Sequence, residues 1–342
     1  MRPLITTVVR SLDGPGNTIL AQASEATPSK EEHSRFITRI GALHAIEQEP
    51  PSRPIAWPGR LRVAAFNAER MKSPPAAARA LLDRAGAQVA LLSEVDVGMA
   101  RSGNVHTVRA LTAPTGEGHL YGVEFVELGL GDSAEMKSLT GARNAESLHG
   151  NAIVTALTLT EPRLIPLEET GFWFAGREGA QKRVGSRMAL AARVADAPRP
   201  LWVVSVHLES KTDPADRQAQ MRTLLRALDH FAPHEACVIG GDLNTKALPT
   251  GEGERSQLLE NPERFEPLFA DLRDAGFEWA HANVAAPTQR TGPGGKPMPP
   301  FGKIDWILTR GLRAENPAVV PALDEQDRPI SDHEMVAVDL LI

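Results

Sequence analysis

The sequence predicts a layered α/β fold, and three observations support that prediction. From Leu61 onward, short apolar runs typical of strands alternate with segments typical of helices. Several of these runs end in polar residues, in the same sense along the chain. No internal repeat, heptad pattern or low-complexity tract is present. We therefore expect one layered α/β domain whose site lies along a common edge.

Composition limits the classes to which the chain can belong. Its 342 residues suit one large domain or two smaller ones, and 42% hydrophobic content is ample for a core. The single cysteine, Cys237, lies in an apolar run, so we expect a buried thiol and no disulfide. No apolar run approaches the roughly 18 residues that span a membrane, and residues 4–9 are too short for a signal peptide. We expect a cytoplasmic protein with no membrane partner; the sequence predicts no oligomeric state.

The charge balance argues against bulk nucleic acid as the default substrate. The formal net charge is -6, whereas proteins that bind long nucleic acids non-specifically usually show a basic patch or stripe. The composition still allows a local cluster of cationic residues at the entrance of a site.

The first sixty residues lack the alternation of strand-like and helix-like segments that follows Leu61. Residues 29–47 have helical spacing, and Ser29 with Glu32 has the spacing of a capping box. A proline-rich linker follows at 49–59. We predict an N-terminal extension, 1–60, with one helix and this linker, before a catalytic domain at 61–342. The helix either packs on the main domain or acts as a lid or partner-binding arm.

The stretch C-V-I-G-G-D-L-N-T at 237–245 is the centre of the predicted site. An apolar run that ends in glycine indicates a buried strand, and alternate side chains on extended backbone share a face. Asp242 and Asn244 are therefore predicted to point the same way, with Leu243 directed into the core. A carboxylate beside an amide at a strand end can polarise a water and bind an oxyanion, as in a hydrolase.

Other elements follow from the same reasoning. Strands are predicted at 61–67, 89–94, 121–130, 152–159, 187–194, 201–206, 304–308 and 335–342, and helices at 75–85, 216–231 and 265–275. Residues 96–147, apart from the predicted strand at 121–130, are expected to be loops and irregular stretches, as are residues 161–182 and 287–302. These segments are expected to decide the substrate.

Seven short motifs follow one another at plausible spacings. They are Asn67, S-E-V at 93–95, H-G-N-A-I at 149–153, H-L-E-S at 207–210, G-D-L-N at 241–244, K-I-D-W at 303–306 and S-D-H at 331–333. No single motif is specific, but the ordered series resembles the endonuclease/exonuclease/phosphatase superfamily across residues 61–342. The resemblance implies a DNase I-like, four-layer α/β sandwich of two mixed sheets with helices outside. It also implies Mg²⁺- or Mn²⁺-dependent hydrolysis of a phosphate ester.

The resemblance assigns metal-binding roles. Glu94 would be the principal metal ligand, with Asn67 and Asp332 close to the metal or its waters. Glu69 stands where many members have an acidic residue that helps to bind metal. Independently, hard divalent cations require oxygen ligands, which this chain supplies where a zinc site would require thiolates or clustered histidines.

The catalytic and substrate-binding roles come from the same resemblance. Asp242 would orient or deprotonate the attacking water, and Asn244 would hold a phosphate oxygen. His333 would contact the phosphate, with Asp305 behind it to fix its tautomer. His207 would lie at the leaving group or bind a phosphate oxygen. Arg187 would contact the phosphate or the groups around the metal, or else form a surface salt bridge. His149 is the last candidate for substrate binding, at a position that often carries an aromatic residue in relatives.

Several functions stay open at this stage. The H-L-E-S motif followed by Arg217 and Gln218 is similar to the branch that contains tyrosyl-DNA phosphodiesterases. The leading hypothesis is a phosphodiesterase for a small or adduct-like ester. The alternatives are a DNA-processing nuclease or repair phosphodiesterase with cationic contacts from residues 287–303, a phosphomonoesterase for a sugar, inositol or lipid headgroup, and a catalytically inactive binding module. Lys296 and Lys303 are predicted to be solvated loop charges.

Overall fold

The computed structural model describes residues 2–176, 181–290 and 301–342, in which two mixed β-sheets pack face to face. The larger sheet has the spatial order β1 (Val8–Val9), β2 (Ile46–Glu49), β5 (Gly118–Glu127), β6 (Leu148–Thr155), β4 (Val89–Val97), β3 (Leu61–Asn67), β14 (Met335–Leu341) and β13 (Arg313–Val320), with β8 (Arg183–Gly185) paired to β5. The smaller sheet has the order β12 (Asp305–Arg310), β11 (Ala236–Asp242), β10 (Leu201–His207), β9 (Met188–Val194) and β7 (Leu159–Pro166).

Helices cover the outer faces of both sheets. They are α1 (Gly16–Glu25), α2 (Lys30–Arg39), α3 (Pro75–Ala85), α4 (Thr107–Thr112), α5 (Ser133–Ser138), α6 (Pro214–Phe231), α7 (Gln257–Glu260) and α8 (Leu268–Asp274). One apolar cluster joins α1–α4 to the larger sheet, a second fills the space between the sheets, and a third joins α6 and α8 to the smaller sheet. These three apolar layers separate four layers of secondary structure, which confirms the predicted sandwich.

The two sheets approach closely beneath β11. A Cβ atom on Gly240 would lie 2.7 Å from Leu91 Cδ1 and 3.0 Å from the Cβ of Ala65, so only glycine fits without displacement. The Ser205 hydroxyl crosses the same gap and donates to the Leu92 carbonyl oxygen over 2.9 Å. The ends of β3 and β4 are therefore held next to the ends of β10 and β11.

The first sixty residues belong to the sandwich. The Ser29 hydroxyl accepts the Glu32 N–H, as predicted, but α2 ends at Arg39 because Ile40 leaves the helical conformation. Beyond it β2 pairs antiparallel with β5, and β1 pairs parallel with β2. The extension thus contributes two helices and two strands, where the sequence predicted one helix and a linker.

Several further elements differ from the prediction, among them α4 and α5, which lie in a segment predicted to be irregular. The strand β7 lies in a segment predicted to be irregular, and β13 was not predicted at all. In the described part of the chain, no helix is both long and apolar enough to cross a membrane.

Candidate active site

Strand register brings the predicted site residues to one edge of the sandwich. In the larger sheet, Asn67 at the end of β3 lies beside Ser93, which precedes Glu94. In the smaller sheet, His207 at the end of β10 pairs with Asp242 at the end of β11. Because β3 and β4 are parallel, as are β10 and β11, their carboxyl ends meet at this edge.

Glu94 reaches this edge through an irregularity in β4. The pairing of β4 with β6 shifts register between Leu92 and Val95, and Glu94 has a φ of +51°. This left-handed conformation costs a non-glycine residue of order 1 kcal/mol. The bulge brings Glu94 Oε1 to 3.3 Å from Asn67 Nδ2 and 3.9 Å from His207 Nε2. The strain is thus located where the family pattern places the principal metal ligand.

Other left-handed residues lie at the same edge. Glu69, Arg70 and Met71 form a turn after β3 with φ values of 45°, 65° and 50°, and Asn244 has a φ of 50°. Strained backbone is maintained only where the surrounding structure enforces it, and it concentrates at functional sites. Its position here agrees with the motif series.

The Asp242 carboxylate contacts or faces several of the other predicted site residues. Its Oδ2 accepts from Asn67 Nδ2 at 3.1 Å and lies 3.6 Å from His207 Nε2 and 3.8 Å from His333 Nε2. Its Oδ1 accepts the backbone N–H of Asn244 at 2.8 Å. One carboxylate therefore faces two imidazoles, and hydrogen bonds fix its orientation.

The turn after β11 corrects one geometric expectation. The strand ends at Asp242, and the positive φ of Asn244 ends the alternation that predicted a shared direction for these two side chains. Asn244 Nδ2 donates to the Leu208 carbonyl oxygen at 3.0 Å and so braces the loop after β10. Leu243 is buried in the core, as predicted.

His333 and Asp305 form the predicted pair. His333 Nδ1 lies 2.9 Å from Asp305 Oδ2, and the Asp305 backbone N–H donates to the Thr288 hydroxyl oxygen. Burial opposes a charge on the imidazole, but Asp305, Asp242 and the neighbouring Asp332 outweigh it and raise the pKa of His333. The imidazole is therefore held as a cation, with Nε2 directed toward Asp242.

A buried network lies behind His207. His207 Nδ1 is 3.4 Å from Glu124 Oε2 and 2.8 Å from an Arg187 guanidinium nitrogen. Arg187 Nε donates to Glu209 Oε2 at 3.0 Å, and Trp173 Nε1 donates to the same oxygen at 2.7 Å. Arg187 is only 3% exposed. Arg187 is therefore not in a surface salt bridge, which corrects that expectation, because Glu124 and Glu209 pair with it in the interior. Its role at the phosphate stays a prediction.

Sequence reasoning did not assign roles to Glu124 and Glu209. The H-L-E-S motif contains Glu209 and could have identified it as a site residue. Glu124 lies in a strand that is buried at every position, and no motif marks it. The Glu124 carboxylate has one oxygen, Oε1, without a hydrogen-bond partner in the described structure.

His149 is buried in a charged network, and its role as a substrate contact stays a prediction. Its ring is 1% exposed, and Nδ1 lies 2.8 Å from Asp96 Oδ1. Arg101 holds the same Asp96 carboxylate with two hydrogen bonds of 2.8 and 2.9 Å. These buried charges are satisfied by one another.

The proposed metal-binding side contains an excess of carboxylates. Burial, then the charges of Glu69 and Glu94, raises the pKa of Asp332 to about 6, although His333 opposes the shift. Arg70 Nε lies 3.8 Å from Glu94 Oε2 and offsets part of this repulsion.

Carboxylate oxygens are the ligands that a hard divalent cation prefers. The charges of Glu69 and Glu94 act on Asp332, so these three carboxylates lie near one another and fit such an ion. Glu69 is already engaged by Lys72 and by the Asp332 backbone N–H, and the Asn67 amide oxygen accepts the Glu69 N–H.

The lysines of the last irregular segment require one correction. Lys303 is 1% exposed, against the prediction of a solvated charge. Its ammonium donates to the Asp305 carbonyl oxygen at 3.1 Å and lies 4.3 Å from the Trp306 ring centroid. Burial lowers the pKa of Lys303 to about 7. Lys296 lies outside the described residues.

Comparisons with known proteins agree with this geometry. The model of the endonuclease/exonuclease/phosphatase family matches residues 64–333. An endonuclease/exonuclease/phosphatase from Beutenbergia cavernae DSM 12333 is similar, with 21% identity and a TM-score of 0.57 over 83% of this chain and 72% of that one.

Two further structures show the same architecture. The human Nocturnin catalytic domain with bound sulfate anion has 15% identity and a TM-score of 0.53, over 86% of this chain and 96% of its own. Humanized D. rerio TDP2 has 16% identity and a TM-score of 0.51, over 83% of this chain and 100% of its own. No curated protein matches the chain in sequence. At these identities, the structural matches establish the fold alone.

Proposed function

Because the chain belongs to the endonuclease/exonuclease/phosphatase family, whose members are metal-dependent phosphoester hydrolases, we propose that it hydrolyses a phosphodiester by in-line attack of a water. The observation that carries this proposal is the convergence of Asn67, His207 and His333 on the single carboxylate of Asp242.

Asp242 is the proposed base for the attacking water. Its two oxygens are oriented by the Asn67 amide and the Asn244 backbone N–H, so that one carboxylate lone pair can accept a proton without side-chain movement. A positioned base of this kind typically contributes about 10²- to 10⁴-fold to the rate.

The two histidines are proposed to stabilise the phosphate in the transition state. His333 is held as a cation by Asp305 and donates from Nε2, which suits a non-bridging oxygen on which charge develops. His207, like His333, lies near Asp242 Oδ2, and its contacts with Glu124 and Arg187 fix the ring. We assign it to the leaving-group side or to a second phosphate oxygen.

The metal side of the site is proposed to consist of Glu94 and Asp332, with Asn67 and Glu69 in support. A bound Mg²⁺ or Mn²⁺ would supply charge neutralisation at the phosphate. Asn67 has a separate role, since its amide nitrogen links the Glu94 carboxylate to Asp242. This pair of hydrogen bonds supports a base that lies next to the proposed metal ligands.

A small or adduct-like ester is the favoured substrate. The alternative of a DNA-processing enzyme relied on cations between residues 287 and 303. Lys303 is buried, and Arg290 is paired with Glu334 at 2.6 Å. The described part of this segment therefore offers no free cation to a DNA backbone.

Hydrolysis of bis-p-nitrophenyl phosphate beside p-nitrophenyl phosphate tests the proposal. Each ester is incubated with the wild-type protein in Mg²⁺, Mn²⁺ or EDTA. We expect release of p-nitrophenol from the diester with either metal and none in EDTA. Faster hydrolysis of the monoester would replace the proposal with a phosphomonoesterase, and binding of metal without hydrolysis of either ester would support an inactive binding module.

A further inference from the structure

A buried lysine that the proposed mechanism does not use lies just before Asp305 in the chain. Lys303 is 1% exposed, and among the residues that the structure describes its ammonium forms no ion pair. Burial lowers the pKa of Lys303 to about 7, although the charge of Asp305 opposes the shift. Lysine is rarely buried without a paired carboxylate, because taking an ammonium out of water is costly. The burial of Lys303 therefore requires an explanation.

The Lys303 ammonium lies at the free edge of a strand. β12 pairs with β11 on one side and ends the smaller sheet on the other, so its outward N–H and C=O groups need other partners. Lys303 Nζ donates to the Asp305 carbonyl oxygen at 3.1 Å and to Asn283 Oδ1 at 3.3 Å. The Asn283 amide in turn accepts the Ile307 N–H at 3.1 Å and donates to the Ile307 carbonyl oxygen at 2.6 Å. Two side chains thus take the place of a neighbouring strand.

These bonds fix the backbone of Asp305. Its carbonyl oxygen accepts from Lys303, and its N–H donates to the Thr288 hydroxyl oxygen at 3.0 Å. On the other side of the strand, Asp305 lies opposite Asp242 in β11. The Asp305 carboxylate lies 2.9 Å from His333 Nδ1. A shift of the Asp305 backbone would therefore also shift the hydrogen bond that orients His333.

Lys303 also connects the strand that carries Asp305 to the loop after Asp242. Its carbonyl oxygen accepts from the Thr245 hydroxyl at 2.8 Å, and the same hydroxyl oxygen accepts from Trp306 Nε1 at 3.0 Å. The Lys303 ammonium lies 4.3 Å from the centroid of the buried Trp306 ring, within the range of a cation–π contact. Lys303 is therefore held by both its backbone and its side chain.

We propose that Lys303 is a positioning residue for the proposed reaction: its ammonium holds the Asp305 backbone so that the Asp305 carboxylate orients His333. Lys303 is too deeply buried to touch the phosphate ester, so it acts only through Asp305. The inference rests on the proposed function, and it gives the buried ammonium a role.

Removal of the ammonium should lower kcat and leave KM unchanged. Lys303→Met keeps the length of the side chain without its charge, and Lys303→Gln keeps a polar group at the same position. In both variants we expect kcat for bis-p-nitrophenyl phosphate to fall about tenfold, as for loss of a hydrogen bond from a charged group, with KM within about twofold of the wild-type value. A wild-type kcat in both variants would overturn the inference.

Lys182→Met is the matched control. The Lys182 ammonium also binds backbone carbonyl oxygens, those of Ala23 at 3.0 Å and Ala26 at 2.8 Å, and it lies 4.4 Å from the Phe174 ring centroid. These partners lie at the end of α1, on the outer face of the larger sheet. This variant should keep the wild-type kcat, so that a loss in the Lys303 variants cannot be ascribed to removal of any carbonyl-bound lysine.

A double-mutant cycle with Asp305→Asn separates positioning from a general effect on the fold. If Lys303 acts through the Asp305 carboxylate, Lys303→Met should have little further effect once that carboxylate is gone. We expect kcat of the double variant to lie within about twofold of that of Asp305→Asn alone. A double variant in which the two single losses multiply would show that Lys303 acts independently of Asp305, and it would overturn the inference.

Proton NMR in EDTA, without substrate, tests the same contact without turnover. The His333 Nδ1 proton is shared with the Asp305 carboxylate, so we expect it to resonate far downfield, and its loss in His333→Gln assigns it. This resonance should shift upfield in Lys303→Met and stay in place in Lys182→Met. An unchanged resonance in Lys303→Met would overturn the positioning role. Absence of hydrolysis by the wild type would reject the proposed function and leave the resonance to decide the positioning role.

Discussion

Asp242 and Asp305 lie directly opposite each other on the antiparallel strands β11 and β12. Two buried carboxylates in this position repel each other, and the His333 imidazole lies between them, with Nδ1 2.9 Å from Asp305 and Nε2 3.8 Å from Asp242. The register of β11 and β12 brings the two carboxylates together, and His333 of the S-D-H motif lies between them at this edge of the sandwich.

Replacing Asp305 by asparagine should separate catalysis from folding. The amide keeps the shape of the side chain but removes the charge that favours the imidazolium form of His333. We expect kcat for the diester to fall about 100-fold, within the usual contribution of a positioned proton donor. Circular dichroism should show an unchanged fold. A kcat within twofold of the wild-type value would show that Asp305 does not contribute to catalysis.

Replacing Glu94 by glutamine should weaken metal binding. The backbone strain at this position is similar for both residues, so the comparison isolates the charge. We expect the affinity for Mn²⁺, measured by calorimetry, to fall at least about 100-fold. Replacing a residue that only supports a metal ligand lowers metal affinity by up to about that factor, and replacing a ligand should lower it at least as much. The exposed Glu31→Gln variant is the control. Equal affinities in the Glu94 variant and the control would show that the metal binds elsewhere.

Glu168 provides a pH-dependent test of stability outside the site. It lines a groove of about 1040 Å³ between the segment after β7 and α6. Burial and then the charge of Glu209 raise the pKa of Glu168 to about 7. A carboxyl whose pKa is higher in the folded state than in the unfolded state loses its favourable contribution as pH rises through about 4.5 to 7.

Glu168→Gln should therefore stabilise the protein at pH 8 and not at pH 4.5. We expect a gain of about 3 kcal/mol in the free energy of unfolding at pH 8, because the pKa of Glu168 rises from its ordinary value to about 7 on folding. Urea denaturation at both pH values measures it, with the exposed Glu25→Gln variant as control. A gain of equal size at both pH values would contradict the assigned cause.

Glu47 connects the first sixty residues to the rest of the sandwich. It is fully buried, and its Oε1 accepts from His106 Nε2 at 2.8 Å and His119 Nε2 at 3.2 Å, while Oε2 accepts the Leu12 N–H. Although burial opposes ionisation, these histidines lower the pKa of Glu47. Its stabilising contribution is therefore present above the unfolded pKa and is lost as pH falls below it.

Glu47→Gln should destabilise the protein by about 3 kcal/mol at pH 7, the cost of breaking a buried charge network. Urea denaturation measures it, and the exposed neighbour Glu49→Gln is the control. A loss below about 1 kcal/mol, in the range of exposed ion pairs, would show that the buried cluster does not hold the extension in place.

The motif-bearing strand ends were predictable because a buried strand and its polar end are both local patterns. Glycine at 240 and 241 marked the end of β11 in the sequence, and the structure has the strand end there. Lys303 and Glu47 were not predictable in the same way. Both are charged residues in the interior, and only partners distant in sequence, such as Asn283 and His119, make their burial acceptable.

The central claim is that Asp242 activates the attacking water in a metal-dependent phosphodiesterase. Single-turnover hydrolysis of bis-p-nitrophenyl phosphate in Mg²⁺ by the wild type and by Asp242→Asn tests it most directly. We predict a rate about 1000-fold lower in the variant, as expected for a base in its reacting position, with the fold unchanged by circular dichroism. A variant that hydrolyses the diester at the wild-type rate would contradict the claim.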